Sequence, residues 1–242
     1  MKKKIGIFDS GVGGLNVLSD LIEHYPNEDF LYLADTANCP YGLKSAEEVK
    51  LITENNIRFL EQQNVKAIII ACNTATSHSY NIKANVPIIR IIEPTANNAL
   101  KVGKRIAVLA TNLTITSNAY QKFIPNAIGI KGSVLVELAE NGKAGFPETQ
   151  FIIDDLLAPV KGRIDTIILG CTHFTLFTEH IKKALGNVNI VDSSLSIKDV
   201  IKDIVEESEG PGVVELLTTG DPMSLNLNFF NKEYKSINHI DI

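Results

Sequence analysis

Two cysteines stand at matching places in the chain. Cys72 follows the apolar run Ile68-Ile69-Ile70-Ala71 and leads into Asn73 and Thr74. Cys171 follows Ile167-Ile168-Leu169-Gly170 and leads into Thr172 and His173, 99 residues after the first. The thiolate is the reactive form of cysteine, and a free thiol ionises at about 8.5. A single thiol at a strand end suggests a covalent nucleophile. Two thiols on opposite walls of one cleft suggest general acid–base chemistry with two bases. One thiolate removes a proton from one face of a bound carbon, and the other thiol returns a proton to the opposite face. The stereocentre inverts, and the reverse reaction swaps the roles of the thiols. A free cysteine is more often a small buried hydrophobe. That reading suffices for Cys39, which has no repeat partner. It fits poorly for two cysteines at equivalent places, each followed by small polar groups.

Several polar residues could serve these thiols. Asp9 closes an apolar run and could take or hold a proton near Cys72. His173 is two residues beyond Cys171, and imidazole titrates in the useful range. Glu140 could join the second thiol, although a surface helix carboxylate is the simpler reading of that residue. Ser10, Asn73, Thr74 and Thr172 offer hydroxyls, an amide and backbone N–H groups suited to carboxylates in a closed, dry cleft. Gly11, Gly13 and Gly14 let backbone approach a ligand, but they do not fit a dinucleotide fingerprint. His24, His78, His180 and His239 show no metal-ligand spacing.

The elements that must position these groups alternate. Ile5–Phe8, Phe30–Ala34, the run before Cys72 and Val86–Ile92 read as short buried parallel strands, the last stopped at Glu93-Pro94. Helices are predicted from Leu15 to about His24, from a Ser45/Glu48 capping box to about Gln63, and from about Thr76 to Ala84. A helix over about 95–101 leads to a second cycle. It holds strands at Arg105–Thr111, before Cys171 and at Val188–Val191, a strand and helix around Val134–Asn141, and helices through Tyr120 and Phe123, over 147–157 and over 176–185. Three strands recur in the same order at offsets of 99, 101 and 102 residues. This is read as a duplication: an α/β protein of two pseudo-symmetric, doubly wound parallel-sheet lobes. Their strand ends are expected to face each other across a cleft. The first lobe is assigned residues 1–94 plus 206–242 and the second 95–205. The tail is predicted as a helix from Ser196 to about Ser208, a strand over Val213–Thr219, a helix over Pro222–Asn231 and a strand over Ser236–Ile242. It is expected to pack on the first lobe.

Composition sets the bounds. The 242 residues carry a net charge of −5, which gives no support to a nucleic-acid or membrane-surface partner. No apolar run reaches the length of a membrane span, and the run Lys2-Lys3-Lys4 enters a strand rather than the apolar core of a signal peptide. Three cysteines at wide spacing argue against a disulfide framework or a zinc site and for a cytoplasmic, reduced protein.

Four motifs then carry a resemblance. Ile7-Phe8-Asp9-Ser10-Gly11-Val12-Gly13-Gly14, Asp35-Thr36-Ala37 with Pro40-Tyr41-Gly42, Ala71-Cys72-Asn73-Thr74-Ala75 and Leu169-Gly170-Cys171-Thr172-His173 resemble, in order, the glutamate racemases of the aspartate/glutamate racemase family. Asp192-Ser193 and Thr219-Gly220-Asp221 also fit. The resemblance implies racemisation of L- and D-glutamate without pyridoxal phosphate or other cofactor, supplying D-glutamate for peptidoglycan. It implies Cys72 and Cys171 as bases, with Asp9 assisting the first and Glu140 and His173 the second. Glu137 is the alternative to Glu140. Substrate contacts would fall on Asp9, Ser10, Tyr41, Gly42, Asn73, Thr74, Thr172 and His173. A homodimer is implied as well. The chain departs from the family pattern at Ala34, at Asn38-Cys39, at Thr95, Leu113 and Thr175, and at Gly132-Ser133-Val134. A racemase of another amino acid such as aspartate, or a family member of low activity with a binding role such as gyrase inhibition, stays open.

Overall fold

The structure is a computed structural model that describes residues 3–206, 209–224 and 237–242. Residues 1–91 with 194–242 form one compact unit and residues 92–193 the other.

The first unit is built on strands β1 (Ile5–Asp9), β2 (Phe30–Ala34), β3 (Ala67–Ile70) and β4 (Ile88–Arg90), with helices α1 (Leu15–His24), α2 (Ala46–Gln62) and α3 (Asn73–Ser77) between them. The tail adds α9 (Lys198–Ile201), β9 (Val214–Thr218) and β10 (Ile237–His239). The sheet order is β10-β9-β2-β1-β3-β4 and every pairing is parallel. Every residue of β1, β2 and β3 is buried. That is why these strands read as unbroken apolar runs rather than as alternation: helices cover both faces. Each fully buried isoleucine contributes about 1.5–3 kcal/mol of transfer free energy. Helix α2 starts where Ser45 accepts from the Glu48 amide while the Glu48 carboxylate accepts from the Ser45 amide, the predicted capping box.

The second unit runs α4 (Ile92–Val102), β5 (Ile106–Ala110), α5 (Asn112–Thr116), β6 (Ile128–Lys131), α6 (Ser133–Glu140), α7 (Pro147–Leu157), β7 (Thr166–Gly170), α8 (Thr178–Leu185) and β8 (Asn189–Asp192). Its sheet is β6-β5-β7-β8, again all parallel. Its core gathers Leu109, Ile153, Ile167, Leu169, Phe177 and Ile181 around Phe174, whose ring meets Phe177 edge-on. The order β2-β1-β3-β4 in the first unit and β6-β5-β7-β8 in the second is the same. The duplication read from three recurring strands thus extends to a fourth pair, β2 with β6.

Several local features differ from the sequence reading; the helix expected through Tyr120 and Phe123, for one, is replaced by turns that follow α5. Helix α3 covers 73–77 rather than 76–84. Hydroxyls break it: Thr76 donates to the Ile70 carbonyl, Ser77 to Thr74 and Ser79 to Thr76. Such bonds compete with helix continuation, and the Arg90 guanidinium then pins the turn through the Ser79 and Ile82 carbonyls. Glu93 and Pro94 do not merely stop a strand but lie in the first turn of α4, where proline lacks no bond it could have made. The units divide at 91/92 and 193/194 rather than at 94/95 and 205/206. Residues 194–206 join the first unit because Tyr25 donates to the Lys198 carbonyl and the Glu206 amide donates to the buried Glu28 carboxylate.

In the tail, α9 is shorter than the predicted helix, and residues 207–208 lie outside the described residues. Of the predicted 222–231 helix, 222–224 form a 3-10 turn and the rest lies outside the described residues. The tail does add to the first unit's sheet, beside β2. Among the described residues no helix is long and apolar enough to cross a membrane.

Candidate active site

In each sheet the strand order reverses between two central strands, β1 with β3 and β5 with β7. The carboxyl ends of such a pair are where open α/β sheets bind ligands. Both thiols lie there: Cys72 stands two residues beyond the end of β3 and Cys171 directly follows β7.

Around Cys72 the backbone does much of the work. Cys72 is the N-cap of α3, and its sulfur accepts from the Ala75 amide at 3.5 Å. The thiol in turn points at the Ser10 hydroxyl oxygen, 3.8 Å away, as donor. The Ala75 amide contact favours negative charge on sulfur. Asp9 closes β1 on the neighbouring strand and is fully buried. One of its carboxylate oxygens accepts the amides of Gly11 and Gly14, each at 3.1 Å. A Cβ on Gly14 would sit 2.5 Å from that of Asp9, so only glycine lets the loop wrap the carboxylate. Asn73 and Thr74 are buried beside the thiol.

Tyr41 and Gly42 arrive from the loop after β2. Tyr41 is fully buried, and its hydroxyl donates to Asp35. Burial, and then the Asp35 carboxylate that accepts this bond, push the Tyr41 hydroxyl well above its ordinary ionisation range. Negative charge at Cys72 and Asp9 adds to the effect. The Tyr41 hydroxyl is thus a fixed donor to Asp35.

The second thiol is served differently. Cys171 makes no side-chain cap to the 3-10 turn of residues 172–177 that follows it. Its sulfur lies 3.8 Å from His173 Nδ1. His173 Nε2 in turn lies 2.6 Å from Glu140 Oε1 at the end of α6. With Glu140 ionised, Nε2 carries the proton and donates, and Nδ1 faces the thiol ready to accept. The three groups form a relay in which imidazole can take the proton from sulfur and the carboxylate can hold the resulting charge. His173 is buried, whereas 43% of the Glu140 side chain is exposed. Thr172 is buried beside the sulfur.

Of the expected residues, Asp9, Ser10, Tyr41, Gly42, Cys72, Asn73 and Thr74 belong to the first unit, and Glu140, Cys171, Thr172 and His173 to the second. Of the two carboxylates weighed for His173, Glu140 is the one at hydrogen-bond distance from its ring.

Two groups escaped the sequence reading as site residues. Asp35 is fully buried and collects several hydrogen bonds, and Asn56 of α2 donates to both Asp35 and Tyr41. A signal existed for each. Asp35 closes a buried strand as Asp9 does, and Asn56 falls on the stripe Val49, Thr53, Ile57 and Leu60 that α2 buries. Among the described residues no cluster of three metal-ligating side chains occurs.

A sequence profile for the family described as Asp/Glu/Hydantoin racemase matches residues 16–197. The glutamate racemase of Aquifex pyrophilus is 40% identical over 242 residues, covering 95% of this chain and 92% of that protein. The crystal structure of glutamate racemase from Thermus thermophilus in complex with beta-chloro-D-alanine superposes with a TM-score of 0.92 at 31% identity, covering 100% of this chain and 98% of that one. Glutamate racemase isoform RacE1 from Bacillus anthracis gives a TM-score of 0.91 at 31% identity, over 99% of this chain and 98% of that one.

Proposed function

The chain belongs to the Asp/Glu/hydantoin racemase family, and from that premise we propose that it interconverts L- and D-glutamate, with Cys72 and Cys171 as the two bases. The observation that carries the reading is the pair of buried thiols, each at the reversal point of its own parallel sheet and each with a proton-handling neighbour.

In one direction the Cys72 thiolate takes the α-proton; an S–H bond forms as the C–H bond breaks. The electron pair passes into the substrate carboxylate as an enolate, and the carbon then takes a proton from the Cys171 thiol. The product is the other enantiomer, and the charge now rests on Cys171. A proton delivered through His173, backed by Glu140, restores the Cys171 thiol. In the opposite direction Cys171 is the base, and Cys72, supported by the Ala75 amide, receives the charge. Asp9 lies beside Cys72 and balances the substrate ammonium. Backbone and side-chain donors of Ser10, Asn73, Thr74, Thr172 and the Tyr41–Gly42 loop hold the two substrate carboxylates. The reaction requires the two half-sites to meet on one carbon.

The sequence likeness supports glutamate over aspartate as substrate, because each of the similar proteins above is called a glutamate racemase. Supply of D-glutamate for peptidoglycan follows from that assignment. Free thiols suit a cytoplasmic setting. A homodimer is part of the proposal through the resemblance alone, and light scattering on the purified protein reads it.

The test is proton NMR of L-glutamate, and separately of D-glutamate, with the protein in D2O. Loss of the α-proton signal with formation of the opposite enantiomer is expected from either side. Exchange of aspartate but not glutamate would keep the two-thiol chemistry and overturn the substrate. No exchange of any amino acid would overturn the reaction and leave a binding role.

A further inference from the structure

The Asp35-Thr36 and Thr219-Gly220 motifs have no part in the two-thiol chemistry, yet they meet. Asp35 ends β2 and Thr219 follows β9, its neighbour in the sheet. The Asp35 carboxylate accepts from the Thr219 hydroxyl at 2.7 Å, from Asn38 at 3.0 Å, from Asn56 at 3.2 Å and from the Tyr41 hydroxyl. Around it, the Ala37 amide donates to Thr219 Oγ1 and the Gly220 amide to Thr36 Oγ1. Thr36 and Thr218 share a hydroxyl–hydroxyl bond of 2.7 Å. A Cβ on Gly220 would lie 2.4 Å from Thr36 Oγ1, so the clasp closes only on glycine. The Asp35 amide donates to the Asp9 carbonyl at 3.0 Å, which ties the hub to the first half-site.

The loop that carries Tyr41 and Gly42 is anchored by the buried Tyr41 ring but has little regular backbone bonding. Its own backbone bonds are of 3-10 type at 3.1–3.4 Å, a geometry poorer than that of an α-helix. On the outer side Ala37, Asn38, Ile52, Asn56, Thr219 and Ile240 border a cavity of about 180 Å3. The Asp35 carboxylate gathers the Tyr41 hydroxyl, Asn38 and Thr219 at one point and so ties the loop to the tail.

We propose that Asp35 is a positioning residue that holds the Tyr41–Gly42 loop in its substrate-binding form, and that Thr219 of the tail sets the orientation of its carboxylate. This rests on the reading of that loop as a substrate contact. The hub touches neither thiol, so it acts on binding more than on proton transfer.

The test uses the full chain with Thr219→Val, Thr219→Ser and Asp35→Asn. KM and kcat are measured for both enantiomers, and amide hydrogen exchange is followed over 36–43 and over β3. Thr219→Val is expected to raise KM about tenfold with kcat within about twofold, the effect of losing one bond to a charged group. Its loop amides are expected to exchange faster while those of β3 do not change. Thr219→Ser keeps a hydroxyl and is expected to restore both. Asp35→Asn turns an amide N–H2 toward donors and is expected to exceed Thr219→Val in each readout. A Thr219→Val protein with a lowered melting temperature but unchanged KM and protected loop amides overturns the proposal. So does a fall in kcat alone, or a Thr219→Ser protein no better than Thr219→Val. Should the wild-type protein leave glutamate unchanged, the proposed reaction fails. The amide-exchange comparison then decides the positioning role by itself.

Discussion

The two half-sites share a backbone plan and differ in how they handle a proton. In register, Phe8 pairs with Ile70 and Leu109 with Leu169, so Asp9 and Ala110 are equivalent, each one residue beyond on the strand beside its thiol. The first unit places a buried carboxylate at that point and the second a methyl group. On the other strand, Thr74 of the first unit matches His173 of the second, two residues past each cysteine. One thiol thus has a carboxylate fixed by backbone amides, and the other an imidazole backed by a half-exposed glutamate. Duplication of a fold copies where strands end; it does not copy the side chains that act there. In the proposed reaction each thiol is base in one direction and acid in the other, and the groups beside the two thiols differ in burial and solvent access.

The comparison is broken most sharply at the sulfurs. Cys72→Ser and Cys171→Ser are each expected to lower racemisation by about 10³-fold, within the range of a lost general acid–base group. Single-turnover exchange in D2O should separate them. Each variant should retain residual α-proton exchange with only one enantiomer, and the two variants with opposite ones. Loss of both activities in one variant alone would show that the half-sites are not partners in one reaction.

A smaller effect is expected one step out. Asp9→Asn keeps an oxygen for the Gly11 and Gly14 amides but removes the buried charge, and kcat should fall about 10²-fold. Glu140→Gln should cost about tenfold, because water screens a carboxylate with 43% of its side chain exposed. Equal losses in the two variants would remove the burial contrast.

The smallest effect concerns stability and belongs to the first half-site. Folding raises the Tyr41 ionisation well above its ordinary value, through burial and then through Asp35. The folded state therefore holds that proton more tightly than the unfolded chain. The stabilisation is complete below the unfolded tyrosine value of about 10 and is lost as pH rises above it toward the folded value. Tyr41→Phe should flatten the fall of stability measured by urea unfolding between about pH 9 and 11, where unfolded tyrosine ionises. An unchanged alkaline limb would mean that the Tyr41 proton contributes nothing to stability.

Much of this was legible in the sequence, for identifiable reasons. Isoleucine-rich runs ending in polar residues marked the buried parallel strands, and the spans of α1 and α7 agree with the sequence reading. What stayed hidden depended on contacts distant in the chain. Glu137 and Glu140 lie nearly one turn apart on α6, and only the place of His173, on another element, separates them. Helix α3 was set too late because cysteine is not among the usual N-cap residues, yet Cys72 caps it. Asp35 looked like the end of a strand until β9, from the far end of the chain, was found beside it.

That last pairing has a consequence for the order in which the protein is made. Strand β9 and Thr219 leave the ribosome only after the whole of the second unit has been synthesised. Domains generally fold as they emerge, but this one cannot close its sheet beside β2 in that order. The lobe whose translation begins first is completed last. A nascent chain that has passed residue 193 carries Cys72 and Cys171, while the Asp35 carboxylate that bonds the Tyr41 hydroxyl still awaits its final donor.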